Sequence, residues 1–293
     1  MGLLDFFKKQ KGPQLGLPEL ARRLGISEAE LAAIEVRYHE FTIAKRGGGR
    51  RTILAPDAPL KQVQRRILRR LLALLLSHPA VNGFERGKSI VTNALYHTGK
   101  PVVVHLDIRD FFTSTAAKRV ESFFRRIGWD RLAARRLTEL CTYQGGLPQG
   151  APTSPRLANL VNYRLDTRLD HLAVKLGAMY TRYADDLTFS FDQDRGGRVR
   201  ALIRAVGRIV DGEGYRLHTR RKLSIRRRHQ QQRVTGLVVN EGVNLPRETR
   251  RRLRAVEHRL AQGLKATLTE DQMRGWRALL AMVRRQAAPR QTP

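Results

Sequence analysis

Three aspartates draw attention through the residues around them. Asp107 follows the apolar run Val102-Val103-Val104-His105-Leu106, and Asp185-Asp186 sit between Tyr183-Ala184 and the alternating stretch Leu187-Thr188-Phe189-Ser190-Phe191. A continuous β-branched run reads as a strand buried on both faces, and strict alternation reads as one arm of a hairpin. All three carboxylates would then lie at strand ends on one edge of a sheet. Carboxylates that close repel one another unless a cation neutralises them, and hard oxygen ligands with open water positions suit Mg²⁺. Two such ions about 3.5–4 Å apart would activate an attacking hydroxyl and stabilise a leaving pyrophosphate in an in-line displacement. Taken alone, an Asp-Asp pair in a turn is ordinary turn chemistry. The surroundings must decide.

Composition supplies one part of them. In 293 residues, 56 Lys and Arg face 26 Asp and Glu, a net charge of +30. A field of that sign gathers polyanions, so nucleic acid is the expected partner class and an anionic membrane surface the weaker competitor. The single cysteine, Cys141, excludes an internal disulfide framework and a Cys-rich zinc site, and it reads as a small buried hydrophobe. Leu71 to Leu76 is the longest apolar run, too short to span a bilayer and preceded by Arg69 and Arg70. Met1-Gly2-Leu3-Leu4-Asp5-Phe6 has no secretory pattern and no Ser or Thr at position 6, so the expected compartment is cytoplasmic, with no membrane partner.

The elements that would carry the aspartates can be read from caps and periods. Residues 14 to 40 predict short helices, with Ser27 and Glu30 forming a capping box. Phe41-Thr42-Ile43-Ala44 and Thr52-Ile53-Leu54 flank Gly47-Gly48-Gly49 and predict a basic hairpin. Pro59 opens a helix with Leu60, Val63, Ile67, Leu71 and Leu74 as its stripe. Ser154 as N-cap and Pro155 at the first position start one long helix whose stripe runs from Leu157 to Leu176, and Gly177 ends it. The tight loop Leu147-Pro148-Gln149-Gly150-Ala151-Pro152 feeds that helix N-terminus, where free N–H groups favour anions. A strand, turn and strand follow over 178 to 191, then a helix over 199 to 213, a polar turn over 226 to 232 and an apolar run from Val234 to Val239. After Pro246 the period is helical again and rich in arginine. The order across 102 to 239 predicts an α+β fold built on a split βαβ sheet.

On these elements the motifs resemble those of reverse transcriptases. Tyr183-Ala184-Asp185-Asp186 resembles the signature, Val104 to Phe112 looks like the first carboxylate motif, and Leu147-Pro148-Gln149-Gly150 looks like the nucleotide-pocket motif. Within that superfamily the finer resemblance is to the retron enzymes. Ala151-Pro152-Thr153-Ser154-Pro155 extends the pocket motif, Asn93-Ala94-Leu95-Tyr96-His97 is similar to the family's Asn-Ala-x-x-His segment, and Val234-Thr235-Gly236 is similar to its Val-Thr-Gly segment. The resemblance covers roughly residues 40 to 265.

It implies a right-hand polymerase: a helical appendage over 1–40, fingers over 41–100, a palm over 101–243 with part of the fingers, and a short basic thumb and tail over 244–293. It further implies that Asp107, Asp185 and Asp186, with the backbone carbonyl of Ile108, hold two Mg²⁺ ions, Mn²⁺ being the alternative. Phe112 would be the gate against a 2'-hydroxyl; core packing is the alternative and fits Phe111. Gln149 and Gly150 would line the pocket, and Arg50 or Arg51 would hold triphosphate oxygens, with nothing to choose between them. Lys222 would protonate the leaving pyrophosphate, although Arg220, Arg221 and Arg226 make a solvated basic face an equal reading. Asn93, His97, Val234, Thr235 and Gly236 would contact RNA, and Arg247, Arg250, Arg251 and Arg254 would bind phosphates.

The implied activity is RNA-directed DNA synthesis from deoxynucleoside triphosphates on a structured noncoding RNA. It would yield RNA-linked single-stranded DNA in anti-phage defence, alongside an effector or toxin protein. Two rivals are a reverse transcriptase of another bacterial system, intron-like or of another defence class, and a noncatalytic RNA-binding scaffold. The first should carry a maturase region; the second should have lost a carboxylate.

Overall fold

Capping chemistry fixes the first elements. The structure is a computed structural model that describes residues 15–44, 48–218 and 222–288. Helix α1 (Leu17–Leu24) has a proline in its first turn, and in α2 (Glu28–Ala33) the Ser27 hydroxyl and the Glu30 carboxylate accept from each other's backbone N–H, as expected of a capping box. Helix gives way to strand earlier than predicted, because Tyr38 already opens β1 (Tyr38–Ala44), which pairs antiparallel with β2 (Arg50–Pro56). Helix α3 (Ala58–Ile67) starts on Asp57, whose carboxylate accepts from the Leu60 N–H. Its expected stripe through Leu74 fails. A π-turn at Leu68–Leu72 adds a residue per turn and rotates the stripe, so Leu72 is buried while Leu74 is 89% exposed.

The chain continues through α4 (Ile90–Leu95), β3 (Val102–Asp107), a short α5 (Phe111–Ser114), α6 (Ala117–Arg126) and α7 (Arg131–Cys141). The long helix predicted from Ser154 is two, α8 (Ser154–Val161) and α9 (Tyr163–Leu176). Asn162 breaks it: the buried side chain donates to the Ala158 carbonyl and accepts from Arg119 and from the Tyr215 hydroxyl. The N-cap is Thr153, not Ser154, and Ser154 is buried in the first turn without a hydrogen bond from its hydroxyl. Then come β4 (Ala178–Tyr183), β5 (Asp186–Phe191), α10 (Gly196–Gly212), β6 (Ser224–Arg227), β7 (Arg233–Val234), β8 (Leu237–Val238), α11 (Arg247–Ala261) and α12 (Glu270–Ala287). The apolar run from Val234 to Val239 is thus no single strand. Thr235 and Gly236, both at positive φ, fold it into a tight hairpin.

Strands β4, β5, β3 and β6 form one sheet in that order, with every neighbouring pair antiparallel. Strand β5 separates the parallel β3 and β4, which is the arrangement of a split βαβ unit. The chain divides into two compact units. One comprises the residues up to Pro79 with Ile108–Thr167 and Ile209–Arg216; the other comprises Ala80–Asp107, Arg168–Arg208 and the residues from Leu217 onward. The second holds the four-stranded sheet and a core in which Val91, Val234, Leu253 and Val283 meet.

Candidate active site

The strand register brings the aspartates together. Asp107, the last residue of β3, is the cross-strand partner of Asp186, the first residue of β5, and Asp185 lies in the two-residue turn before it. Ala184 takes a left-handed conformation, φ 56, to make that turn. Asp107 is buried at 5% exposure, Asp185 is half-buried and Asp186 is exposed. Crowding by the surrounding protein, then the like charges of Asp185 and Asp107, push the Asp186 carboxyl up to about 7, against the pull of Lys222.

Lys222 and His218 attend Asp107. Lys222 Nζ donates to its Oδ2 at 2.7 Å, and His218 Nε2 stands 3.6 Å from its Oδ1, too far for a hydrogen bond. The His218 N–H donates to the Asp107 carbonyl at 2.9 Å, which tethers this segment to the strand end. His218 had no signal in the sequence beyond its basic neighbourhood. Its neighbours Thr219, Arg220 and Arg221 lie outside the described residues.

Among the described residues, no three His, Cys, Asp or Glu side chains are gathered as a ready-made metal site. Two observations nevertheless fit a cation here. Asp107 Oδ1 is buried without a hydrogen-bond partner, and Asp186 is driven toward its neutral form by desolvation and then by the negative charges of Asp185 and Asp107, which a cation would offset. The donor set is all oxygen, as a hard divalent ion prefers.

The reverse transcriptase (RNA-dependent DNA polymerase) family matches residues 43–238. The retron Ec86 reverse transcriptase of Escherichia coli is 35% identical over 285 residues, which cover 92% of this chain and 87% of that protein. Two relatives from Myxococcus xanthus are similar at comparable identity: the retron Mx65 reverse transcriptase at 38% (93% of this chain, 69% of that one) and the retron Mx162 reverse transcriptase at 37% (90% and 63%). The chain belongs to the retron reverse transcriptases. It spans less than two thirds of the Mx162 protein. Reverse transcriptases are RNA-directed DNA polymerases and generally use divalent metal ions.

In the unit that holds residues 108–167, the end of the first carboxylate motif, the pocket motif and strand β2 meet. The Leu147 N–H donates to the Phe112 carbonyl, and the Leu54 N–H of β2 donates to the Gln149 carbonyl. Gly150, at φ 136, lies so close to β2 that a Cβ would stand 2.5 Å from the Leu54 carbonyl oxygen. Phe112 is half-buried and Phe111 buried against Tyr215, so of the two rings Phe112 is the one that reaches solvent. Arg50 is tied across the hairpin, with Nε and Nη2 both donating to Thr42 Oγ1; Arg51 is exposed on the opposite face of β2. Ile108 is buried directly after Asp107.

The expected RNA contacts divide. Arg247, Arg250, Arg251 and Arg254 are exposed along α11, as phosphate contacts require. Asn93 and His97 are buried, and this corrects their reading as residues that touch RNA. His97 Nδ1 and Nε2 lie 2.7 Å from the hydroxyls of Ser190 and Thr181, so the ring braces β4 and β5 from within. Val234 is buried as well, and the Thr235 hydroxyl donates to the Ile90 carbonyl. Thr235 thus joins the β7–β8 hairpin to α4, while Gly236 at the hairpin tip is exposed.

Three residues beside the aspartate turn escaped sequence reasoning. Arg182 is fully buried and its Nη1 donates to the Ala184 carbonyl at 3.1 Å. Gly83 packs so closely that a Cβ would stand 2.7 Å from Ala184 N, and Phe84 follows it. In a chain with so many arginines, one more before Tyr183 gives no sign of being buried.

Proposed function

We propose that the chain copies part of a structured noncoding RNA into single-stranded, RNA-linked DNA from deoxynucleoside triphosphates. The observation that carries the reading is the cross-strand pairing of Asp107 with Asp186 beside Asp185. Family membership supports it. Asp107, Asp185 and Asp186, with the Ile108 carbonyl, are the groups that would hold two Mg²⁺ ions. Bound there, the ions supply the charge that ionises an attacking hydroxyl and stabilises departing pyrophosphate.

The protein's own groups do the rest. Lys222, in reach of Asp107, is placed to give a proton to the pyrophosphate oxygen as it leaves. Phe112 serves as the gate against a 2'-hydroxyl, Gln149 and Gly150 line the nucleotide pocket, and Arg51, whose guanidinium is not committed to Thr42, is favoured over Arg50 for the triphosphate. The fingers, palm and thumb correspond to 41–100, 101–243 and 244–293. Service in anti-phage defence with an effector or toxin protein, in the cytoplasm, belongs to the same reading and rests on kinship. No helix among the described residues is long and apolar enough to cross a membrane.

The test replaces Asp185 and Asp186 together by Asn. Incorporation of deoxynucleotides on an annealed RNA template should fall to background while RNA binding is kept. Retained synthesis would overturn the metal assignment.

A further inference from the structure

The edge of the sheet next to the catalytic turn is extended by a segment outside the four strands. Val81 bridges Arg182 in parallel, the Arg182 N–H donates to the Ala80 carbonyl at 3.0 Å, and the Asn82 N–H donates to the Arg182 carbonyl at 2.8 Å. Residues 80–84 therefore run along the free side of β4. At the end of this segment Gly83 lies against the backbone of Ala184, where no side chain fits, and Phe84 follows with φ 59. A bulky residue held in the left-handed region is strained, and such strain persists only where the surroundings enforce it. Its ring does not vanish into a core. Phe84 is 48% exposed, with its centroid 6.2 Å from that of Tyr183, the cross-strand partner of Asp186.

The sheet order then sets these groups in a row: Phe84, Tyr183, the Asp185-Asp186 turn, Asp107, and last Lys222, two residues before β6. In an in-line displacement the attacking and leaving oxygens stand on opposite sides of the phosphorus. Lys222 marks the side from which pyrophosphate departs. The 3'-hydroxyl of the growing strand must arrive from the other, where the exposed Phe84 and the half-buried Tyr183 lie.

We propose that Phe84, with Tyr183 beside it, is the stacking floor for the 3'-terminal nucleotide of the growing strand. Gly83 and Arg182 are positioning residues that hold the aspartate turn against this floor. An aromatic face binds any base, because every base offers a π surface, as a template-directed enzyme requires where it holds the strand terminus. This inference rests on the polymerase reading and on the role given to Lys222.

The experiment uses the full chain with an RNA template annealed to a DNA primer. Phe84→Asn removes the ring and keeps a residue that accepts positive φ, and Phe84→Trp keeps an aromatic face. Phe84→Asn should raise the KM for primer-template about tenfold, as removal of one base-stacking ring predicts, and leave the KM for the nucleotide within about twofold. Phe84→Trp should restore the lower value. A second readout needs no catalysis: 5-iodouracil at the primer 3' terminus should photocrosslink to the peptide holding Phe84, and the same base on the template strand should not. An equal rise in both KM values, no rise, failure of Trp to restore, or crosslinking from the template alone would overturn the proposal. If the wild type makes no DNA, the polymerase reading fails and the stacking floor falls with it, whereas an active wild type with an unchanged primer-template KM in Phe84→Asn overturns the stacking floor alone.

Discussion

Crowding by the surrounding protein displaces Asp186 and His97 in opposite directions, since it disfavours whichever form is charged. It is complete for His97 and partial for Asp186, which still reaches solvent and also faces the charges of Asp185 and Asp107. The Asp186 carboxyl rises to about 7 and the His97 imidazole falls to about 3, burial being the largest contribution to each. For His97 the unfolded chain takes up a proton below about 6.5 and the folded chain does not until about 3. Stability from this residue is therefore complete above 6.5 and is lost as pH falls, at about 1.4 kcal/mol per pH unit. Asp186 acts the other way, because the folded chain keeps its proton to higher pH than the unfolded one. Comparison with His97→Gln isolates the histidine. Between pH 6.5 and 5 the wild type should lose about 2 kcal/mol more than the variant in chemical denaturation. Equal losses would mean that the ring is not held neutral between Thr181 and Ser190. The three aspartates were legible because their neighbours differ: a β-branched run before one, an alternating arm after the others. Asn93 and His97 were legible as a pair but not in direction, for polar residues at helical spacing look alike whether they meet RNA or the back of a sheet.

Elements were most readable where local chemistry decides them. Ser27 with Glu30, the glycine-linked β1–β2 pair and the run into Asp107 stand as expected from caps, turns and periods. The π-turn after Ile67 and the break at Asn162 were not readable, because each depends on partners distant in sequence: Asn162 is held by Arg119 and Tyr215. The loop of Leu147 to Gly150 shows both aspects. Its proline and glycine announce a tight turn, but only the fold shows that Gly150 is pressed onto β2 at a backbone angle reserved for glycine. Gly150→Ala should therefore cost about 1–3 kcal/mol of stability through strain at that angle, with added cost from the close approach to the Leu54 carbonyl. Urea titration of the two proteins checks this. A variant as stable as the wild type would mean that the loop can part from the hairpin without loss, and that its seat on β2 does not fix the proposed pocket.

At the scale of the whole molecule, the net charge of +30 predicted the partner class without locating where that partner binds. The arginines are not equivalent. Arg119, Arg156 and Arg182 are consumed internally, donating to Asn162, to the Leu72 carbonyl and to the Ala184 carbonyl. Others are paired in the open, as Arg277 is with Glu257 and Arg274 with Asp271. Arg247, Arg250, Arg251 and Arg254 are exposed on a helix that buries Leu253 and Val256, so one face anchors α11 while others carry charge. Such a surface reads phosphates and not bases, and its contribution to affinity comes from released counterions. Replacing all four by Ala should weaken binding of cognate and unrelated structured RNA by similar factors. It should also reduce the magnitude of the slope of log K against log salt by about 3, at roughly 0.7 to 0.9 for each phosphate left without its arginine. Fluorescence anisotropy across a salt series measures both. A slope that does not change would place the phosphate-binding groups elsewhere on the molecule, and a weakening confined to the cognate RNA would mean that α11 discriminates among sequences, which charge alone does not do.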